Sequence, residues 1–392
     1  MRKLAIASAP ALAFALLAAA GASSLVASAC SSSDGSGDTT ASGTFGSTGG
    51  GGSSSSSTSH ATGTGGSGGL NLFDGGPGST STSSTSGTGT GGGTGGGKPQ
   101  YLIYSSTDTD LFTLDPTSAD LALTHVGVFD CIGGTSGHTA MTDIAVDKSD
   151  ALWGITGHDV VPLSIQGSTI HCGNAIQLTE GGLPAPTFYA LTFAPVGVLD
   201  PAKEVLVAGN SAGELWAING QTGEVAQHGI FGTVPADDGN GNAYAAANVG
   251  QPWELSGDIV FLANNGSPVG FATVRDCPTP PTTDGCSFTD TLLEIDLSKL
   301  AAQGNQPVLK ALRGQVKQKP TGCATSFSGY FGSLYGIAAW DDKVYGFSRT
   351  GNLVQIDTTN GQGCYVNSYS PNNFSGAGVT TLAPVIPPPP IK

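Results

Sequence analysis

The sequence predicts an all-β fold in which four-stranded units repeat and close into a ring, a five-bladed β-propeller. Three observations carry the prediction. In Ser333 to Tyr369 four short apolar runs, GIAAW, KVYGFS, NLVQID and CYVNSY, are separated by Asp341-Asp342, Thr350-Gly351 and Thr358-Thr359-Asn360-Gly361, each a good turn former. The same grammar recurs from Tyr101 onward with a period of roughly 40 residues. The first unit lacks a leading strand, and one carboxy-terminal strand has no unit of its own, so the last strand completes the first blade.

Before the repeats the chain is of another kind. Residues 1–29 open on Arg2 and Lys3, run through an Ala/Leu-rich segment broken by Pro10 and end on Ala27, Ser28 and Ala29, the pattern of a secretory signal. Cys30 follows at once. The rest of 30–98 is almost wholly Gly, Ser and Thr; without apolar periodicity it cannot offset its ordering entropy and is expected to be a disordered linker. As a Gly-rich coil it would span about 45 Å on average. At the other end, Pro387 to Pro390 within the tail 387–392 stop the fold, because proline cannot donate to a strand ladder. The folded part is therefore expected at 99–386.

The units follow in order. The first reads YLIYSS, LFTLD and LALTHVGVF; the second DIAVD, LWGIT, VVPLSI and TIHCGNAIQL; the third FYALTFAP, EVLVAG, ELWAIN and EVAQHGIF. The fourth is longest: DIVFLAN, GFATV, a Pro- and Thr-rich insertion from Cys277 to Cys286, LLEIDL, and Leu309 to Val316. The segments LFTLD, ELWAIN, LLEIDL and LVQID share an apolar residue, a spacer, an Ile or Leu and a final Asp or Asn, as half-buried strands ending in side-chain-capped turns do. GVTTLAPV, Gly378 to Val385, copies YALTFAPV at Tyr189 to Val196 and is expected to be the inner strand of the first blade. Such closure removes sheet edges that would recruit other chains. Six blades is the alternative count, if Val234 to Gly250 or Lys317 to Gly332 holds a further strand pair.

Two kinds of segment carry a resemblance. DIAVDKSDALWGIT and LYGIAAWDDKVYGFSRTGNLVQIDTTNGQG resemble β-propeller repeats of the NHL and YVTN type over residues 99–386. That implies blade geometry, which binding proteins and enzymes share. VASAC, Val26 to Cys30, resembles the lipobox of bacterial lipoproteins, with Ala27 where leucine is usual. It implies that Cys30 is lipidated and becomes the new amino terminus, which would tether the protein in the bacterial cell envelope, at the outer membrane or cell surface. Cleavage near Ala29 with plain secretion, or an uncleaved anchor, are the alternatives.

The formal charge is -15, and the linker contributes almost none of it. Such a module is repelled by phosphate backbones and anionic headgroups, so nucleic acid is not an expected partner. Seven cysteines occur. Setting Cys30 aside leaves an even number, which in an exported chain argues for disulfides. Cys131 to Cys172 and Cys323 to Cys364 span the same interval of 41 residues, which suggests these as pairs and leaves Cys277 with Cys286 in a local loop. A zinc site would need a CxxC pair, and none is present.

Candidate chemistry is sparse. Gly209-Asn210-Ser211-Ala212-Gly213 fits GxSxG, but a nucleophile elbow needs a strand-to-helix turn, and here the pentapeptide joins two strands as a hairpin. DDGNGN offers calcium ligands at Asp238, Asn240 and Asn242; Ala243 and Val249 stand where such a loop needs its glycine and bidentate glutamate, so a polar turn is favoured. Asp143, Asp147, Asp341 and Asp342 lie near the ends of leading strands, where propellers resembling this one sometimes hold a divalent ion; turn capping is again favoured. The histidines show no HxxxH or HExxH spacing. Trp153, Trp216, Trp253 and Trp340 fall on blade strands as core residues rather than as a carbohydrate platform. The expectation is a binding or scaffolding module without catalytic residues, its protein or glycan ligand held on one face or at the axial opening. A calcium-dependent envelope hydrolase or lyase is the competing class, and a structural surface protein the third.

Overall fold

The computed structural model describes residues 101–133, 137–278 and 285–386. The signal segment, Cys30, the Gly/Ser/Thr linker and the tail at 387–392 lie outside the described residues. β1 (Ile103–Thr107), β2 (Asp110–Leu114) and β3 (Leu123–Phe129) form an antiparallel set that lacks an inner member. β4 (Asp143–Val146), β5 (Leu152–Ile155), β6 (Asp159–Gln166) and β7 (Thr169–Cys172) make the next group. β8 (Ile176–Gln177) adds to β6, and β9 (Thr179–Glu180) pairs with β10 (Leu183–Pro184).

Three regular groups follow. They are β11 (Ala190–Ala194), β12 (Val205–Gly209), β13 (Glu214–Ile218) and β14 (Val225–Ile230); then β15 (Trp253–Leu262), β16 (Val269–Asp276), β17 (Thr291–Ile295) and β18 (Leu309–Gln315), with a one-turn helix α1 (Leu297–Leu300) capped by Asp296; then β19 (Gly336–Trp340), β20 (Lys343–Phe347), β21 (Asn352–Asp357) and β22 (Gly363–Ser368). Finally β23 (Phe374–Gly378) pairs antiparallel with β1 and completes the first group. Val234 to Gly250 and Lys317 to Gly332 contain isolated bridges and no named strand.

The leading strands close on one another. β23 lies beside β4 and β19, β11 beside β4 and β15, and β15 beside β19. The chain is thus an all-β propeller closed by a carboxy-terminal strand. Its apolar clusters fill the gaps between neighbouring groups. Leu111, Ile144 and Val161 sit between the first two, Phe188, Leu206 and Trp216 between the second and third, and Phe261, Leu293 and Phe231 between the third and fourth. Phe271, Ile337, Phe347 and Phe374 belong to one cluster that joins the remaining groups. Each such buried side chain contributes roughly 1.5–3 kcal/mol relative to exposure.

The closing strand differs from the expectation. It is Phe374–Gly378, FSGAG, and Gly378 rather than Thr381 stands opposite β1 where Thr192 stands opposite β12. A Cβ on Gly376 would meet Asp143 Oδ1 at 2.2 Å, and one on Gly336 would meet the Gly376 carbonyl carbon at 2.4 Å. The inner strands approach too closely for side chains there, so the strand carries no apolar alternation to betray it. Gly378 to Val385 instead crosses the far ends of three leading strands. Thr380 bridges Val146, the Ala263 N–H donates to Thr381, and Val385 bridges Asp341.

Disulfides join Cys131 to Cys172, Cys277 to Cys286 and Cys323 to Cys364. The two long bridges are staples between successive groups. Cys131 follows β3, and Cys172 ends β7, the strand that runs parallel to β3 through Val128↔Thr169 and Phe129↔Ile170. Cys323 lies in the segment after β18, and Cys364 lies on β22 of the next group. The equal spacing therefore reflects one period of the repeat.

Candidate ligand cavity on the ring axis

At the entry end of the leading strands five equivalent positions face the axis: Asp143, Ala190, Asp258, Gly336 and Gly376. Two carboxyls fit because the other three positions carry a methyl group or nothing. The next residue of every strand donates its backbone N–H inward. Ile144 and Ala377 donate to Asp143 Oδ1 at 2.7 and 3.0 Å, and Leu191 donates to Asp143 Oδ2. Ile259 donates to Asp258 Oδ1 at 2.6 Å, and Ile337 to Oδ2 at 2.9 Å. Both carboxyls are fully buried. Burial, and for Asp143 the neighbouring Asp258 charge, raise both well above the ordinary carboxyl range, and the two side chains hydrogen-bond to one another. Like charges this close cannot both ionise, so the pair keeps a proton.

The residues one step earlier, Thr142, Tyr189, Gly257, Tyr335 and Ser375, all line a cavity of about 670 Å³ directly above this plug. The turns add Asp108 between β1 and β2, Ser211 between β12 and β13, and Arg349 between β20 and β21. Glu254 of β15 and Arg275 of β16 complete one wall. Every group of strands thus contributes.

The charged groups of the cavity are paired within its walls. Arg349 Nη1 and Nη2 reach the two Asp108 oxygens at 2.6 and 2.7 Å, and those hydrogen bonds hold the guanidinium pKa above its usual value. Arg275 donates from Nε and Nη2 to Glu254 at 3.2 and 2.9 Å. Burial works against the Arg275 charge, and the Glu254 contacts outweigh it, so its pKa is raised too. Beneath, Asp290 is fully buried and accepts from the Leu334 N–H at 2.7 Å; burial lifts its pKa to about 6.

The residues singled out in the sequence fall elsewhere, with two exceptions. Asp143 reaches the axis as half of the buried pair, and Ser211 reaches the cavity rim. Ser211 sits exposed in a hairpin, and a side chain on Gly213 would strike the Trp253 carbonyl oxygen at 2.2 Å, which fixes GNSAG as a tight turn. Asp147 caps its own turn through Ser149 and Ala151 N–H groups, Asp341 occupies a turn at φ 58, and Asp342 pairs with Lys343. In DDGNGN the Asp238 carboxylate accepts N–H groups from Asn240, Asn242 and Gln315, Asn240 donates to the Arg313 carbonyl, and the Lys317 ammonium lies on Asn242. That is a self-capped turn with a lysine where a cation would stand. Trp216 and Trp253 are buried in the core. Among the described residues, the groups of three His, Cys, Asp or Glu close enough to hold an ion are Asp130 with Cys131 and Cys172, and Glu254 with Cys277 and Cys286; their sulfurs are committed to disulfides.

Asp258, Asp290, Glu254, Arg275 and Arg349 were not singled out by the sequence. One signal was available: DIAV and DIVF both place Asp before Ile at the start of a leading strand, while the third and fifth units place Ala190 and Gly336 there.

No protein-family model and no curated protein matches the chain. Among solved structures it is similar to a crystal structure of BBS1N in complex with ARL6DN at 10% identity and a TM-score of 0.28, covering 64% of this chain and 56% of that one. It is also similar to a protein of unknown function from Bacteroides caccae at 9% identity and a TM-score of 0.32, covering 71% of this chain and 98% of that one. Likenesses of this size assign no ligand, and the NHL and YVTN resemblance stays one of blade grammar.

Proposed function

We propose that the chain is a ligand-binding module of the bacterial cell envelope: a propeller carried on a lipid at Cys30 and a Gly/Ser/Thr tether, taking its ligand in the axial cavity. The observation that carries the binding reading is that cavity. Its volume of about 670 Å³ lies within the range of small-molecule sites, and all the strand groups converge on it. Side chains held on separate, mutually packed strands are preorganised, which limits the ordering cost of binding. The envelope reading is supported by VASAC, by the composition of 30–98, and by the disulfides, which persist in oxidising compartments.

Ligand-observed NMR of a library of small polar molecules, run on the full chain and on Ser211→Arg, tests the binding reading. Ser211 is exposed at the cavity rim, so the arginine blocks the mouth without entering the core. Hits lost in the variant are expected; an identical hit list for both proteins rejects the reading. Cys30→Ser should move the protein from the membrane to the soluble fraction, and unchanged fractionation rejects the anchor.

A further inference from the structure

We propose that the axial cavity takes a neutral, hydroxyl-rich ligand, a saccharide, and turns away molecules of net charge. This rests on the binding reading above and names the class of ligand.

The first argument is charge. Asp108, Glu254, Arg275 and Arg349 all line the cavity, and they are spent on one another as two bidentate pairs. A ligand carboxylate or phosphate gains a guanidinium only by displacing Asp108 or Glu254. The displaced group is then an unpaired charge in the wall, and Glu254 is only 12% exposed. A ligand ammonium meets the mirror-image cost at Arg275 or Arg349. The net charge of -15 adds a field that opposes anions at longer range.

A hydroxyl group escapes this cost. A guanidinium has five N–H donors and a bidentate pair uses two, while a carboxylate keeps further lone pairs. The two ion pairs can therefore stay closed and still offer donors and acceptors side by side. An alcohol, which donates and accepts through one oxygen, is the group that can use both.

The second argument is the floor. Of its five positions, two are tyrosines. Tyr189 is 47% exposed, and Tyr335 is half-buried and lines the same cavity as Arg275 and Arg349. Gly257 brings no side chain to the same ring, because the place its Cβ would take lies 1.8 Å from the Leu334 carbonyl oxygen. A phenol ring offers an electron-rich face to the slightly positive C–H face of a pyranose, as aromatic edges and faces pair elsewhere. Two tyrosine rings in the floor and paired polar groups around them match a molecule that is apolar on its face and hydroxylated at its rim.

The test titrates the full chain with maltotriose, cellotriose and chitotriose, with the charged probes trigalacturonate and trilysine, and with a capped neutral tripeptide. The expected result is that at least one neutral trisaccharide binds, that raising the salt leaves its affinity unchanged, and that Tyr335→Ala weakens it at least tenfold while Tyr335→Phe keeps most of it. Ser211→Arg should abolish the same binding without touching the tyrosines. Binding of trigalacturonate, trilysine or the tripeptide that Ser211→Arg abolishes, with the trisaccharides silent, overturns the ligand class and leaves the binding reading standing. Trisaccharide binding indifferent to Ser211→Arg and Tyr335→Ala overturns the placement in this cavity. If none of the probes binds, the saccharide assignment falls, and the library comparison alone decides whether the cavity binds anything.

Discussion

The carboxyl groups of Asp143 and Asp258 face each other on the ring axis, hydrogen-bonded to one another and to one backbone N–H from each leading strand. The two residues stand on β4 and β15, so neither strand pairs with the other. Their shared proton and inward N–H groups join all the strands at a point where no apolar side chain larger than the Ala190 methyl is found.

Asp143→Ala should therefore be severe. It strands the inward N–H groups of Ile144, Leu191 and Ala377, and each buried donor without a partner costs about 1–3 kcal/mol. A loss on the order of 4 kcal/mol is expected in urea unfolding. A loss below about 1 kcal/mol would show that the axial pair does not hold the strands.

The buried carboxyls also set a pH dependence. Asp290 keeps its proton in the folded state up to about pH 6, whereas the unfolded chain releases it near the ordinary aspartate value. Where the folded state binds the extra proton, stability falls as pH rises, so this contribution declines up to about 6 and is level beyond. Depressed carboxyls such as Asp110, Asp130 and Asp296 act in the opposite sense. The readout is therefore the difference between Asp290→Asn and the parent protein in melts across pH. The variant should gain relative stability from about pH 4 to about pH 6, and a difference flat across that window refutes the assignment.

Gly376→Val should block closure, since even a Cβ meets Asp143 Oδ1 at 2.2 Å. The expected result is loss of protection of β1 in hydrogen exchange, with β11 to β14 less affected.

Removing the staple between the first two groups by Cys131→Ser with Cys172→Ser should lower stability by up to about 4 kcal/mol, the chain-entropy value for its loop of 41 residues. The fall is read as a lower denaturation midpoint. Reductant should lower the parent protein in the same direction.

Much of the fold was legible because the third strand of each group repeats one apolar pattern. ELWAI and NLVQID both bury their second, third and fifth side chains, Leu215 and Trp216 on opposite faces against different neighbours, and the sequence shows that shared pattern. The axis obeys another rule. FSGAG is wholly buried yet nearly without side chains, because crowding by Asp143 selects small residues, and no hydropathy pattern records crowding. The cavity was least legible. Arg349 and Asp108 lie 241 residues apart and meet only because the ring closes. Nothing local in SRTG or STDT announces an ion pair.

The position of β23 also bears on how the chain is made. Synthesis proceeds from the amino terminus, so β1 to β3 emerge with an open inner edge and wait for nearly the whole remaining chain before Phe374–Gly378 can reach them. Until then the Asp143 carboxyl lacks its Ala377 donor, and the cavity lacks Ser375 from its floor. A truncated or stalled product therefore has neither a closed ring nor a finished cavity: the last strand to be made is the one on which both depend.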